Sequence, residues 1–415
     1  MKLKLLVGAA LLSLPMAANA GPVQAEIAPV LVNPTLDDLN NGTLETGADN
    51  FTGVGEIVMF VKEEFGGGAF VCTASLVNSN TLLTAAHCLD SGNRGTRGQA
   101  YDRIEFRTGA NWRNPDQTYT AKSIALNPDF IQFDEAGGPE NDIALVRLDG
   151  DVSNGEEFYD IYRGSDEFGQ VHTKVGGGTT GYGDAGRTAT PTAEEREAGA
   201  RGGLDGYKRS GQNVYENINS IFGYSDGFLL TDFDNGNEQN DLFGFLAAIF
   251  PEFLEEGLTP EMFFETGIVD ENGVVIDYGV GGGDSGGPTF INGLIAGVTS
   301  FGGSTGQFFG GCGPNSGLYG PDIDSNADGE QTEAITVDGG LDGDGDGIAD
   351  AGLSCLNSSY GEFAGDTRVS RYADWFDNAL AGGQAFSLLV PEPGAVGLLG
   401  LGVLGLFAAR RRRAA

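Results

Sequence analysis

About one residue in six of this chain is glycine, 69 of 415, and that share, more than twice the usual one, most limits what the chain can fold into. Each glycine inside a helix costs roughly 1 kcal/mol relative to alanine, so long helices are disfavoured. Between the glycines, Val, Thr, Phe and Tyr alternate with polar residues along many short runs, the pattern of half-buried strands joined by turns. The expectation is an all-β protein with long loops and few helices.

Both ends read as sorting segments. Residues 1–20 carry Lys2 and Lys4, an apolar run from Leu5 to Leu14 and then Ala18-Asn19-Ala20, the layout of a cleaved secretory signal. The far end carries Val390-Pro391-Glu392-Pro393, an apolar run from Gly394 to Ala409 and Arg410 to Arg413, in the order short motif, marginal membrane span and basic stop. This tail resembles the PEP-CTERM sorting signal of Gram-negative bacteria, which implies a membrane sorting enzyme as partner and removal of the tail. A plain C-terminal anchor is the alternative. Either way the body is exported, secreted or at the cell surface, and meets the membrane only through residues 383–415, a linker and the sorting tail.

With 59 acidic residues against 23 Lys and Arg the net charge is −36. Such an excess repels nucleic acid and anionic lipid, excluding both as partners, and keeps an exported protein soluble. Four cysteines in an exported chain suggest two disulfides with three possible connectivities. Cys72 and Cys88 are close in sequence, and their pairing would leave Cys312 with Cys355.

Only two histidines exist in the chain, so any mechanism that needs an imidazole base has two candidates. His87 lies in Thr84-Ala85-Ala86-His87-Cys88, directly after a short strand-like run. His172 lies in the polar run Gln170 to Thr173 and reads as a surface residue. Gly283-Asp284-Ser285-Gly286-Gly287-Pro288 is the second signal: a nucleophilic Ser needs its own N–H and that of the residue two before it turned to one point, and Gly283 can take the dihedrals this requires. The third is Asn141-Asp142 ahead of the apolar run Ile143 to Leu148, an acid that is a weak signal alone. Its position gives the chain order His, Asp, Ser.

Together these three segments resemble the trypsin/chymotrypsin family of serine proteases. The resemblance extends to Gly181-Tyr182-Gly183, where the family has a Gly-Trp-Gly turn, and to Ser300-Phe301-Gly302, where a Ser-Trp-Gly strand pairs with substrate. Val369, Tyr372, Phe376 and Leu380 fall on one helical face, like the family's C-terminal helix. The resemblance implies two antiparallel β-barrels with a C-terminal helix, and a secreted endopeptidase acting on protein or peptide substrates through an acyl-enzyme, with no cofactor for catalysis. It implies a triad of His87, Asp142 and Ser285, an oxyanion hole from the N–H groups of Gly283 and Ser285, and a Cys72–Cys88 bridge that pins the His loop. Gly279, six before Ser285, takes the base of the primary pocket with Gly302 on its wall and Ala364 or Gly365 opposite. Without an acid at Gly279 the pocket is expected to be uncharged and to prefer Phe, Tyr, Leu or Met, unless Asp277 points inward.

The domain so implied spans residues 53–382, with two insertions at about 184–275 and 304–358. The family's Ile-Val-Gly-Gly activation start is missing, and Gly53-Val54-Gly55 is its nearest match, so residues 21–52 are a propeptide or an extension. The second insertion holds ten acids and no Lys or Arg. Its Asp342, Asp344, Asp346 and Asp350 alternate around glycines as calcium loops require, although Glu is missing at the twelfth position. Structural calcium is therefore expected there, against a solvated acidic loop. The competing function is a non-enzymatic, calcium-binding surface or matrix protein derived from a protease.

Overall fold

The computed structural model describes residues 51–65, 67–90, 100–131, 140–182, 203–216, 226–233, 242–249, 278–304 and 362–383, with short pieces at 186–187, 190, 192–194, 251, 335–337, 340–342 and 386–389. The signal segment, most of the extension, nearly all of the acidic second span, and the tail from residue 390 lie outside them.

The first half of the fold is built from β1 (Val54–Val61), β2 (Ala69–Asn78), β3 (Thr81–Thr84), β4 (Tyr101–Thr108), β5 (Gln117–Leu126) and β6 (Ala144–Leu148). They pair antiparallel in the order β5-β4-β1-β2-β3-β6, and β6 returns to β5, so the sheet closes into a barrel. Strand β5 makes the closure by giving its first half to β4 and its second half to β6. In β4 the residues Ile104, Phe106 and Thr108 are buried and Glu105 and Arg107 are not, the two-residue period of a barrel wall. The inward residues, Ile57, Met59, Leu76, Leu83, Ile104, Phe106 and Val146 among them, form one continuous core.

The second half follows with β7 (Val171–Gly176), the short hairpin β8 (Gly181–Tyr182) and β9 (Gly186–Arg187), β10 (Arg209–Val214), β11 (Phe228–Phe233), helix α1 (Leu242–Ile249), β12 (Pro288–Ile291) and β13 (Leu294–Ser304). After a hairpin of β14 (Ile335–Val337) and β15 (Gly340–Asp342) comes β16 (Glu362–Arg368), then helix α2 (Ala373–Leu380) and β17 (Ser387–Leu388). Six of these strands pair antiparallel in the order β10-β7-β12-β13-β16-β11. The sheet's free edges meet at a single bridge, Glu216 to Leu230, so the second body is a half-barrel. The fold is thus the expected all-β pair of antiparallel barrels.

Two boundaries differ from the sequence reading. The span 184–275 is not one insertion: it supplies β10 and β11, both edges of the half-barrel. Strand β10 reads as a polar loop because Arg209 turns inward to a buried carboxylate, Asp205, at 2.6 Å. The body also runs past residue 382, since β17 pairs with β5 and Leu389 is buried against the first barrel.

Helix α2 carries the chain back to the first barrel. Val369 and Tyr372, in the helical turn before it, and Phe376 are buried and Leu380 packs at the margin, which is the face read from the sequence. Because Val369 directly follows β16, this packing ties the half-barrel to the closed one. Phe376→Ala is expected to lower the unfolding free energy in urea by about 3–5 kcal/mol, whereas Asp374→Ala on the exposed face should change it by less than about 0.5 kcal/mol.

Candidate active site

His87 follows β3 on a tight turn in which Leu89 N and Asp90 N donate to the Ala86 carbonyl. Its Nδ1 stands 2.7 Å from Asp142 Oδ2, and its backbone N–H donates to Asp142 Oδ1 at 2.8 Å. Asp142, just ahead of β6, is completely buried. A bare carboxylate there would be costly, and a third donor, Ser300 Oγ of β13, meets Oδ2 at 2.6 Å. Thr367 Oγ1 of β16 donates to the Asp142 carbonyl at 2.9 Å. Asn141, at φ 56°, takes the left-handed conformation that Asn tolerates better than most residues, and so turns Asp142 inward.

The electrostatics follow from this pairing. Burial pushes the His87 imidazole down, but the Asp142 charge and hydrogen bond outweigh it and hold His87 above its ordinary value. Burial likewise pushes Asp142 up, and the His87 charge with the His87 and Ser300 hydrogen bonds brings it below the usual carboxylate range. The result is a buried anion with an imidazole fixed by Nδ1, leaving Nε2 for chemistry.

Ser285 sits in the glycine turn before β12. Gly283 has φ 106° and Gly286 φ 81°, conformations that few side-chain-bearing residues adopt. A Cβ on Gly286 would lie 2.0 Å from Thr84 Oγ1, so this turn presses on the strand end that leads into His87. Thr73 of β2 holds it from below, its N–H donating to the Ser285 carbonyl at 2.8 Å and its Oγ1 to the Gly283 carbonyl at 2.8 Å. The Cys72–Cys88 disulfide forms as expected. Cys88 Sγ lies 3.7 Å from both His87 Nε2 and the Ser285 carbonyl, so the Ser285 loop and the imidazole flank one sulfur atom. Cys72, His87 and Cys88 have donor atoms within 4.8 Å of one another, but bridged sulfurs carry no thiolate and this group is no metal centre. Cys312 and Cys355 lie outside the described residues.

Asp284 turns away from the site. It is buried, and its Oδ1 accepts from Gly178 N at 2.9 Å and its Oδ2 from Gly281 N at 2.7 Å. Gly53-Val54-Gly55, the nearest match to an activation start, instead enters β1, where Val54 is opposite Ser75 and its N–H donates to the Phe51 carbonyl at 3.0 Å.

The expected substrate strand is β13. Ser300 spends its hydroxyl on Asp142, and the Phe301 ring is buried edge-on against Phe228 and Phe363, so both can offer substrate only backbone groups. Gly302 stands opposite Ala364 and Phe301 opposite Gly365. A small hollow beside Gly279 is lined by Thr231, Asp232, Phe233, Val280, Glu362, Phe363 and Ala364. Asp232 of β11 and Glu362 of β16 border it. Asp277, Asp344, Asp346 and Asp350 lie outside the described residues, and Asp342 ends β15.

His172 is not on the surface. Its ring is buried with both nitrogens unpartnered, stacked on Tyr215 at 4.1 Å between centroids, and burial, aided by the Lys174 charge, lowers it well below its ordinary value. It is a neutral core residue, which leaves His87 as the imidazole of the site.

Parts of the chain are similar to known proteins. The family model described as Trypsin matches residues 55–200, and that of the PEP-CTERM protein-sorting motif matches residues 389–413. A curated relative, the CLIP domain-containing serine protease B10 of Anopheles gambiae, is 29% identical over 167 residues, 35% of this chain and 45% of the relative; the match thus spans less than half of that relative. Among solved structures, HL collagenase aligns with 80% of this chain and 95% of its own at 13% identity and TM-score 0.42. Neuropsin, a serine protease expressed in the limbic system of mouse brain, aligns with 78% and 93% at 14% identity and TM-score 0.42.

The disulfide closes a loop that holds His87. Replacing Cys72 and Cys88 together with Ala is expected to lower stability by about 3 kcal/mol, the scale for a loop of roughly this length, measured by urea unfolding against the same protein with its bridge intact.

Proposed function

We propose that this chain, which carries a trypsin-family domain and a PEP-CTERM sorting motif, is an exported serine endopeptidase. The observation that carries the reading is the buried Asp142 carboxylate bound to His87 Nδ1 at 2.7 Å, with Cys88 Sγ packed 3.7 Å from both His87 Nε2 and the Ser285 carbonyl. The family match ends at residue 200, so Ser285 enters the argument through this packing.

In this reading Ser285 Oγ attacks the scissile carbonyl while His87 Nε2 takes its proton. Asp142 holds the tautomer and stabilises the imidazolium without itself becoming protonated. The N–H groups of Gly283 and Ser285 receive the oxyanion, and His87 returns the proton to the leaving amine. Water then repeats the sequence on the acyl-enzyme. Export by the N-terminal signal and handling of the tail by a sorting enzyme complete the reading.

Ser285→Ala or His87→Ala should lower kcat by roughly 10⁴- to 10⁶-fold, with the double variant no worse, magnitudes taken from the serine-protease template. The pH profile adds a sign. The base must be neutral, so its raised pKa puts the acid limb of kcat/KM above the ordinary imidazole range, and Asp142→Asn should move that limb down while slowing turnover. Peptide hydrolysis by a pure Ser285→Ala preparation would overturn the assignment.

The pocket reading follows its lining. Gly279 is set against the Phe233 ring, where a Cβ would already be 3.1 Å away, and Val280, Phe363 and Ala364 line the same hollow. Asp232 and Glu362, at its border, are buried, and Asp232 already accepts from Phe243 N at 3.1 Å. With no acid at Gly279, an apolar residue before the scissile bond is favoured, since a buried cation without a partner is costly. Matched peptides with Phe and Arg at that position should show higher kcat/KM for Phe. A preference for Arg in the unaltered protein would reject this pocket.

A further inference from the structure

Glu56 lies within β1, fully buried, and neither of its carboxyl oxygens has a hydrogen-bond partner. A carboxyl group in that state resists ionisation. Two charged groups act on it. Lys208, buried just ahead of β10, donates from Nζ to the Phe51 carbonyl at 2.8 Å and the Val54 carbonyl at 2.7 Å. Asp284 reaches it from the nucleophile turn. Arg107, opposite Glu56 on β4, directs its guanidinium to Glu105 and the Trp112 carbonyl instead.

Two consecutive glycines separate the two carboxyl groups. A Cβ on Gly176 would lie 2.0 Å from Asp284 Oδ1, and one on Gly177 would lie 2.0 Å from Glu56 Oε1. Both acids therefore press on one short piece of backbone, and the next residue, Gly178, is the one whose N–H holds Asp284. With Glu56 neutral the cluster balances one ammonium against one carboxylate. With Glu56 ionised it holds two carboxylates in a buried volume, where like charges repel far more strongly than in water.

We infer that Glu56 is a positioning residue for the oxyanion turn: as the neutral acid it leaves Asp284 bound to the N–H groups of Gly178 and Gly281, and on ionising it repels that carboxylate and displaces Gly283 and Ser285. The inference rests on the peptidase reading above, since it acts through the same turn. Burial raises the Glu56 carboxyl to about 8, with Lys208 drawing it down and Asp284 pushing it up. Activity is therefore lost as pH climbs through about 8. The stability effect has its own sign: the folded chain keeps a proton that the unfolded chain has released, so stability falls as pH rises from the ordinary carboxylate value to about 8 and levels off above it.

The test measures kcat/KM against pH for the full chain and for Glu56→Gln, and the melting temperature against pH for both in a Ser285→Ala background, where self-cleavage cannot interfere. The expected result is an alkaline limb near 8 in the parent, about tenfold lower at one pH unit beyond it, and its loss in Glu56→Gln. The parent's melting temperature should fall across the same window and that of Glu56→Gln should not. An alkaline limb unchanged in Glu56→Gln, or superimposable melting profiles, overturns the inference and leaves the peptidase reading standing. If Ser285-dependent hydrolysis is missing at every pH, the peptidase reading fails and the positioning role fails with it, while the melting profiles still report whether Glu56 titrates.

Discussion

The structure depends on one buried anion. Asp142 sits at zero exposure between the two barrels, where an unsatisfied carboxylate would cost several kcal/mol. Its donors come from both sides: His87 from the closed barrel and Ser300 from β13 of the half-barrel, with Thr367 of β16 fixing its carbonyl. The charge is stable only when the barrels are docked, and docking is also what completes the site. Folding and the geometry of this site are thus one requirement.

The turn that carries Ser285 meets a similar requirement by different means. Its carbonyls and Asp284 are held almost wholly by backbone and hydroxyl donors from Thr73, Thr179, Gly178 and Gly281. Such donors need close approach, which explains why glycines cluster here. Gly176, Gly177, Gly178, Gly286 and Gly287 all lack room for a Cβ. The glycine content that first suggested short strands is, at this place, what lets β2 and the segment after β7 close on the Ser285 turn.

How much was legible follows from the range of each signal. The His, Asp and Ser segments were readable because each is short and chemically distinctive, and the face of α2 because its apolar residues repeat within a few positions. Strands β10 and β11 were hidden. Their partners β7 and β16 are far away in sequence, and β10 owes its place to a buried ion pair and not to apolar alternation. His172 was misread for the same reason: Lys174, two residues on, looks like a solvated neighbour but is buried against Asp366, which also accepts from Tyr215 at 2.6 Å and Thr289 at 2.8 Å. The bond of the Ser300 hydroxyl to Asp142 depends on strand register, which no local pattern carries.

The charge imbalance gives these buried pairs added weight. Against 59 acids the chain has 23 Lys and Arg, so surface ion pairing cannot neutralise it, and exposed acids are left to water. Several of the scarce cations are instead spent inside or at the edge of the half-barrel: Lys174 on Asp366, Arg209 on Asp205 and Arg368 on Glu167. Lys208 belongs to the same group, but its Nζ is committed to two backbone carbonyls beside Glu56, and the Glu56 oxygens are left without a hydrogen bond. The other three acids are bound as carboxylates by an ammonium or guanidinium. Glu56 must meet the cost of burial differently, by keeping its proton, and it does so against Gly177, beside the Gly178 N–H that holds Asp284.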